Sequence, residues 1–293
     1  MQASSRPEPV LRDTHLWEAT RGALTAGARE RRGPLVISVT PAYAGAFLED
    51  GSSVRRQLAA ITPLVQRTVM VQRRRRRAER VVLMAPSAWL RLAWPAQATG
   101  DRAQQIAWLA RHLDSVVGDA LARLPVDAVV LGAHFVAPAA SRRADFDGVF
   151  VFDVDRLQMT WAGASIAHGA AGPKLAPDAE RDSIAEVPGL GPTLVLNDHE
   201  LVSLVRAEDP AAAHTVEAAR RMGARHVLHL GYGAGPQGLW ATRLERLGKM
   251  LPEVTGWASV SRVTAAEPRE SWQGLVSGVD HLPLTVRLAG ERR

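Results

Sequence analysis

No cysteine occurs anywhere in the 293 residues of this chain. That excludes disulfides, thiolate metal sites and any cysteine nucleophile. No apolar run approaches the roughly 20 residues that cross a bilayer. The opening stretch MQASSRPEPVLRDTHLWE also lacks a signal peptide's apolar core, so a soluble cytoplasmic protein is expected. Lysine is nearly missing: of 36 basic residues only Lys174 and Lys249 are lysine, which marks each as a place where arginine was not used. There is no G-x-S-x-G nucleophile elbow either. Ser87 lies instead in Ala-Pro-Ser-Ala-Trp, at the end of an apolar run. A strand end is still where α/β sheets present polar groups to ligands.

What is present describes a packed α/β chain. Hydrophobic residues make up 46% of the sequence, enough for a sizeable core. The formal charge is +6, but five of those charges sit in the run Arg73–Arg77 and the remainder is close to neutral. A nucleic-acid binder usually shows a broader basic field, and no aromatic residues interleave the run to stack bases. It reads as a solvated helix end, where cations meet the helix dipole, with contact to an acidic partner as the functional alternative.

Residues 1–33 form a polar arm with one short helix expected from Thr14 to Arg29. Gly33-Pro34 is then expected to break the chain. A single domain over residues 34–293 follows. LVISVT (35–40) reads as a buried strand, and a helix capped by Ser52 or Ser53 should run through the arginines, kinked or split at Pro63. RVVLMA (80–85) is a strand and residues 102–124 an amphipathic helix with Ile106, Leu109, Leu113, Val117 and Leu121 on one side. Two strands follow at 127–137 and 148–155, and QMTWAGASI can pair with the second as a hairpin. A Gly/Ala/Pro-rich loop from His168 to about Pro177 carries Lys174. Strands at TLVLN, ARHVLHLGY, GWASVSRV, SWQGLVSGVD and LTVRL alternate with helices at 211–223 and 239–253.

Asn197-Asp198-His199-Glu200 stands straight after the apolar TLVL, as a cluster at an active site would. Asp198, His199 or Glu200 can supply acid–base groups if one faces a pocket, but neighbours on an extended chain point apart. The same rule sends His226 and His229 to opposite faces of their strand, so the histidines form no metal pattern. No metal and no cofactor is expected. GYGAGPQG (231–238) follows a strand and opens a helix, the layout of a glycine loop that meets an anion. It looks like the first motif of S-adenosylmethionine-dependent methyltransferases, which would use Gly231–Gly235. His229 stands where those motifs hold an acidic residue.

Taken together, the order of elements resembles the nitrilase, or carbon–nitrogen hydrolase, superfamily from about Leu35 to Leu288. In that family a strand ending in Pro-Glu supplies the general base. RVVLMAPSAWL matches it, with Ser87 at the glutamate's place. A pair of strands then leads to a loop with a catalytic lysine, and HGAAGPKLAP offers Lys174. A later strand ends in the nucleophilic cysteine. TLVLNDHEL is similar to it, with Asn197 at the cysteine's place. A helix, a Gly223-Ala224 turn into RHVLHL, another helix and GWASVSRV complete the likeness.

The resemblance implies an α-β-β-α sandwich and a homo-oligomer. It also implies lost chemistry, since that mechanism needs a thiolate, a glutamate and a lysine. Only Lys174 survives of the three, so the first expectation is a catalytically degenerate protein serving in binding or assembly. Ser87, Lys174 and Asn197 would converge in a remnant pocket for a small amide or carboxylate. The alternatives are a carbon–nitrogen hydrolase with an altered mechanism and the methyltransferase-like reading.

Overall fold

The computed structural model describes residues 33–43, 51–74, 78–87, 89–96, 102–137, 146–163, 166–169, 172–175, 184–197, 201, 205, 210–231, 243, 246–254, 256–260, 263–264 and 282–288. The expected helix at 14–29 and the strand at 271–280 lie outside them. In chain order the elements are β1 (Gly33–Tyr43), α1 (Gly51–Arg74), β2 (Ala78–Met84), β3 (Leu90–Ala93), α2 (Arg102–Leu121), β4 (Ala128–Val136) and β5 (Phe146–Asp153). Then come β6 (Gln158–Gly163), β7 (Ile166–Gly169), β8 (Gly172–Leu175), β9 (Ile184–Val187), β10 (Gly191–Asn197) and α3 (Pro210–Arg221). The chain continues through β11 (His226–Leu230), β12 (Gly256–Val260), β13 (Val263–Thr264) and β14 (Leu282–Leu288), and residues 246–250 are helical.

The β-branched runs make two sheets. Ten strands form the first, in the order β13-β1-β2-β4-β5-β7-β8 with β14 also on β1, β3 on β4 and β6 on β5. Four form the second, in the order β12-β11-β10-β9. Side-chain alternation then assigns four layers. Val36, Val82, Met84, Val130, Val149 and Val151 of the first sheet share a buried cluster with Val195, Leu228, Leu230 and Val260 of the second. The residues between them, such as Ile37, Leu83, Leu131 and Phe150, pack on Leu58 and Val65 of α1 and Leu109 and Leu113 of α2. On the far side, Leu194, Leu196 and Val227 meet Val216 of α3 and Leu247. The layer order is α-β-β-α, as the sequence led us to expect.

Several boundaries differ from expectation for identifiable reasons. Gly33-Pro34 does not break the chain. It opens β1, and the register shift between Gly33 and Leu35 absorbs a proline that cannot donate to the ladder. Pro63 lies inside one continuous helix, α1, which ends at Arg74 rather than running on to residue 80. The Gly/Ala/Pro-rich loop expected after His168 is in part a hairpin: β7 and β8 pair antiparallel, with Lys174 opposite Ala167. Small residues read as loop because they carry no periodicity, yet they pair as readily as others. Strands β3 and β9 went unread for a similar reason, each being four residues long. The helix end at Gly223 matches: α3 stops at Arg221, and Gly223 takes φ +70° while the Ala224 N–H returns to the Ala219 carbonyl.

Candidate functional site

The ends of the two sheets can be matched through the short strand β13. It pairs parallel with the end of β1, placing Val263 opposite Ala42. Val263 follows Val260, the last residue of β12, by three residues, a reach of at most about 10 Å. The carboxyl ends of β10, β11 and β12, which run parallel, therefore stand at the same end of the sandwich as the carboxyl end of β1. Since β1, β2 and β4 are also parallel, this is the end at which β2 and β4 finish.

Ser87 lies there, three residues past β2. Ala85 donates its N–H to the Val130 carbonyl at 2.8 Å, and Trp89 closes a turn on Pro86 at 3.2 Å, so Ser87 sits in that turn beside β4. It is buried. Asn197 ends β10, opposite Leu230, and is also buried. It alternates with Leu196, which faces the helices, and so points the way Val195 does, into the space between the sheets. Lys174 is fixed here only by its strand pairing in β8. Asp198, His199 and Glu200 lie outside the described residues, as does the glycine loop beyond Gly231.

One polar pair at this end was not anticipated. His134 near the end of β4 and Asp147 near the start of β5 are direct cross-strand partners. Their side chains meet at 2.7 Å, His134 Nδ1 to Asp147 Oδ1, with side-chain exposures of 8% and 1%. Both fall on the inter-sheet side, because Ala133, Phe135, Phe150 and Phe152 take the helix side. On the other flank of β4, Arg91 of β3 stands opposite His134. It is half-buried and on the same face, since Leu90 and Leu92 pack toward the helices. Ala42 is four residues past Ser38 and His134 four past Val130, so both stand about 13 Å beyond the Ser38–Met84–Val130 row. The second sheet's β10 packs on β5 and β6.

His134 and Asp147 lie 13 residues apart, and strand register rather than composition joins them, so the pair is not legible before the pairing is known. His226 aligns with Leu228 and Leu230 toward the first sheet, and His229 with Val227 toward the helices, so the two do diverge. Among the described residues no group of three or more His, Asp or Glu is placed to hold a metal ion. Arg73 and Arg74 close α1 in solvent, with Arg73 3.9 Å from Asp127. No described helix is long and apolar enough to cross a membrane.

No family model and no curated protein sequence matches this chain. Solved structures do. A cysteine-to-alanine mutant of an amidase from Nesterenkonia sp., of the nitrilase superfamily, aligns over 80% of this chain and 78% of its own at 15% identity and a TM-score of 0.45. A Saccharomyces cerevisiae member of branch 10 of the nitrilase superfamily aligns over 80% and 79% at 10% identity and a TM-score of 0.45. A carbon–nitrogen hydrolase from Helicobacter pylori aligns over 86% and 80% at 9% identity and a TM-score of 0.43. The chain is similar in fold to members of the nitrilase superfamily, and it carries no cysteine.

Proposed function

We propose that this chain is a nitrilase-like protein that has given up carbon–nitrogen hydrolysis and serves as a binding or assembly component. One observation carries the reading. Asn197 is buried at the end of β10, facing the first sheet, where the resemblance puts a cysteine, and the chain has no cysteine to replace it. An amide side chain does not form the covalent intermediate a thiolate forms. Ser87, at the glutamate's place, does not ionise as a carboxylate base does. Ser87 and Asn197 are then the lining of a remnant pocket, joined by Lys174, and a small amide or carboxylate is its ligand. A homo-oligomer is the form in which we place it, on the strength of the resemblance, with the cytoplasm as its proposed compartment.

The methyltransferase reading has no such support. Strand β11, which leads into Gly231, belongs to a four-stranded sheet covered by another sheet. The deciding measurement is ammonia release from a broad panel of amides and nitriles. No turnover is expected. Turnover that disappears in Lys174→Ala would replace the degenerate reading with an altered hydrolase.

A further inference from the structure

We propose that the outer face of α1 docks on an anionic phospholipid bilayer, with its arginines on the headgroup phosphates and Met70 at the acyl boundary. That role does not depend on what the sheet ends retain. Residues 51–80 hold nine arginines against Glu79 alone, a sum of +8, whereas the whole chain carries +6. Helix α1 itself has five arginines and no acidic residue over 24 residues, about 36 Å of helix. All five are exposed. Arg67, Met70 and Arg74 follow one another at spacings of three and four, so they form one line on the surface. Leu58, Val65 and Val69 take the other side of the helix and pack on the first sheet. Met70 is 47% exposed, and Ala59, Pro63 and Gln66 are the other exposed uncharged positions among the described residues of α1. A merely solvated face normally mixes both signs of charge. This one is arginine and apolar surface.

Nearer occupants do not fit. Arg73 lies 3.9 Å from Asp127, but that carboxylate is held at 3.0 Å by Arg80 and accepts the Val81 N–H, so it does not neutralise the face. The 32 residues ahead of β1 carry six arginines against four acidic residues and offer no complementary charge. A second copy seated symmetrically would set arginine against arginine. Helix α1 lies flat, with its inner side on the first sheet and α2 beside it. It cannot enter a major groove about 12 Å wide as a protruding recognition helix does. A flat helical layer does fit the plane of a bilayer, and a basic face that also exposes apolar atoms is the composition of interfacial helices. On α2, Trp108 is 37% exposed with the Arg111 guanidinium 4.0 Å from its ring centre, and tryptophan favours the headgroup region. The second half of α2 carries Asp114 and Asp119, so the basic face is that of α1.

The test is co-flotation of the full chain with vesicles of phosphatidylglycerol and phosphatidylcholine in equal parts, against vesicles of phosphatidylcholine alone. Binding is expected on the anionic vesicles only. It should fall at least tenfold between about 0.05 and about 0.5 M salt, as the Debye length shrinks from about 14 to about 4 Å. Each arginine at an anionic surface contributes about fivefold, so Arg67→Gln with Arg74→Gln should weaken binding at least tenfold. Arg221→Gln with Arg225→Gln removes the same charge on the α3 side, where both are exposed, and should change binding less than about threefold. Met70→Gln keeps the charge and should weaken binding severalfold with its salt dependence unchanged. The wild-type comparison of the two vesicle types stands even if a variant does not fold. Absence of binding to the anionic vesicles, equal binding to both, or equal losses in the two arginine pairs overturns the proposal. So does an unchanged affinity in Met70→Gln, which would leave no apolar seat. Displacement of the vesicles by a DNA duplex at equal phosphate concentration overturns it too, and reassigns the face to nucleic acid.

Discussion

Asn197 is the residue on which the functional reading turns, and it can be tested by putting the missing atom back. Asn197→Cys places a thiol at the end of β10, and a thiol beside polar groups differs in reactivity from one in an apolar core. If Asn197 lines a pocket, propionamide should slow its alkylation by iodoacetamide at least severalfold. Alkylation at the same rate with and without propionamide would place the side chain away from a ligand site. Trp161 makes a separate point about polar atoms. Its indole Nε1 is buried with no hydrogen-bond partner among the described residues, and such an orphan costs about 1–3 kcal/mol. Trp161→Phe removes the orphan and leaves a ring against the helix-side core. The melting temperature should hold or rise, whereas Phe150→Ala on the neighbouring strand should cost about 3–5 kcal/mol. A large loss in Trp161→Phe would show that ring volume, not the unmet N–H, governs the site.

Strands and helices differ in how plainly the sequence announces them. RVVLMA, DAVVLGAHFVA and HVLHL were legible because a β-branched run bounded by turn residues has few other folded uses. The amphipathic α2 was legible from its 3.6-residue period, and all of Leu109, Leu113, Val117 and Leu121 are buried. Lys174 was misread as a loop residue because glycine, alanine and proline hide strand pairing. The His134–Asp147 pair was invisible because it lives in register, not in composition. Ser87 and Asn197 were placed correctly at strand ends, since only the end of an apolar run was needed to find them.

The helix α2 also carries a pH dependence. Burial holds the His112 imidazole below its ordinary pKa. The unfolded chain therefore takes up the proton first as pH falls, and stability should decline below about pH 6.5. Asp114 is pushed up by burial and by Asp119. Its ionisation works the other way, favouring the folded state at low pH and withdrawing that contribution as pH rises through its folded pKa. His112→Gln should flatten the decline between pH 7 and 5 in denaturant titrations. An unchanged slope would assign the decline to another group.

At the scale of the whole molecule, the two sheets hold together through a shared apolar interface and not through separate cores. Leu228 and Leu230 of the second sheet lie in one buried cluster with Val82, Val130 and Val151 of the first. Neither sheet can expose that face alone without returning all of it to water, at about 25 cal/mol per Å². The helices cover the opposite faces and do not substitute for the partner sheet. The described core should therefore melt in one cooperative transition. Leu228→Ala deletes volume at the interface, should cost about 2–5 kcal/mol, and should shift that transition downward without dividing it. Signals from Trp89 against the first sheet's helix side and from Trp257 on β12 would report the two sheets separately. If those probes melt at different temperatures in the wild type, the sheets are independent units. A pocket formed between them would then have to assemble on binding instead of standing ready for its ligand.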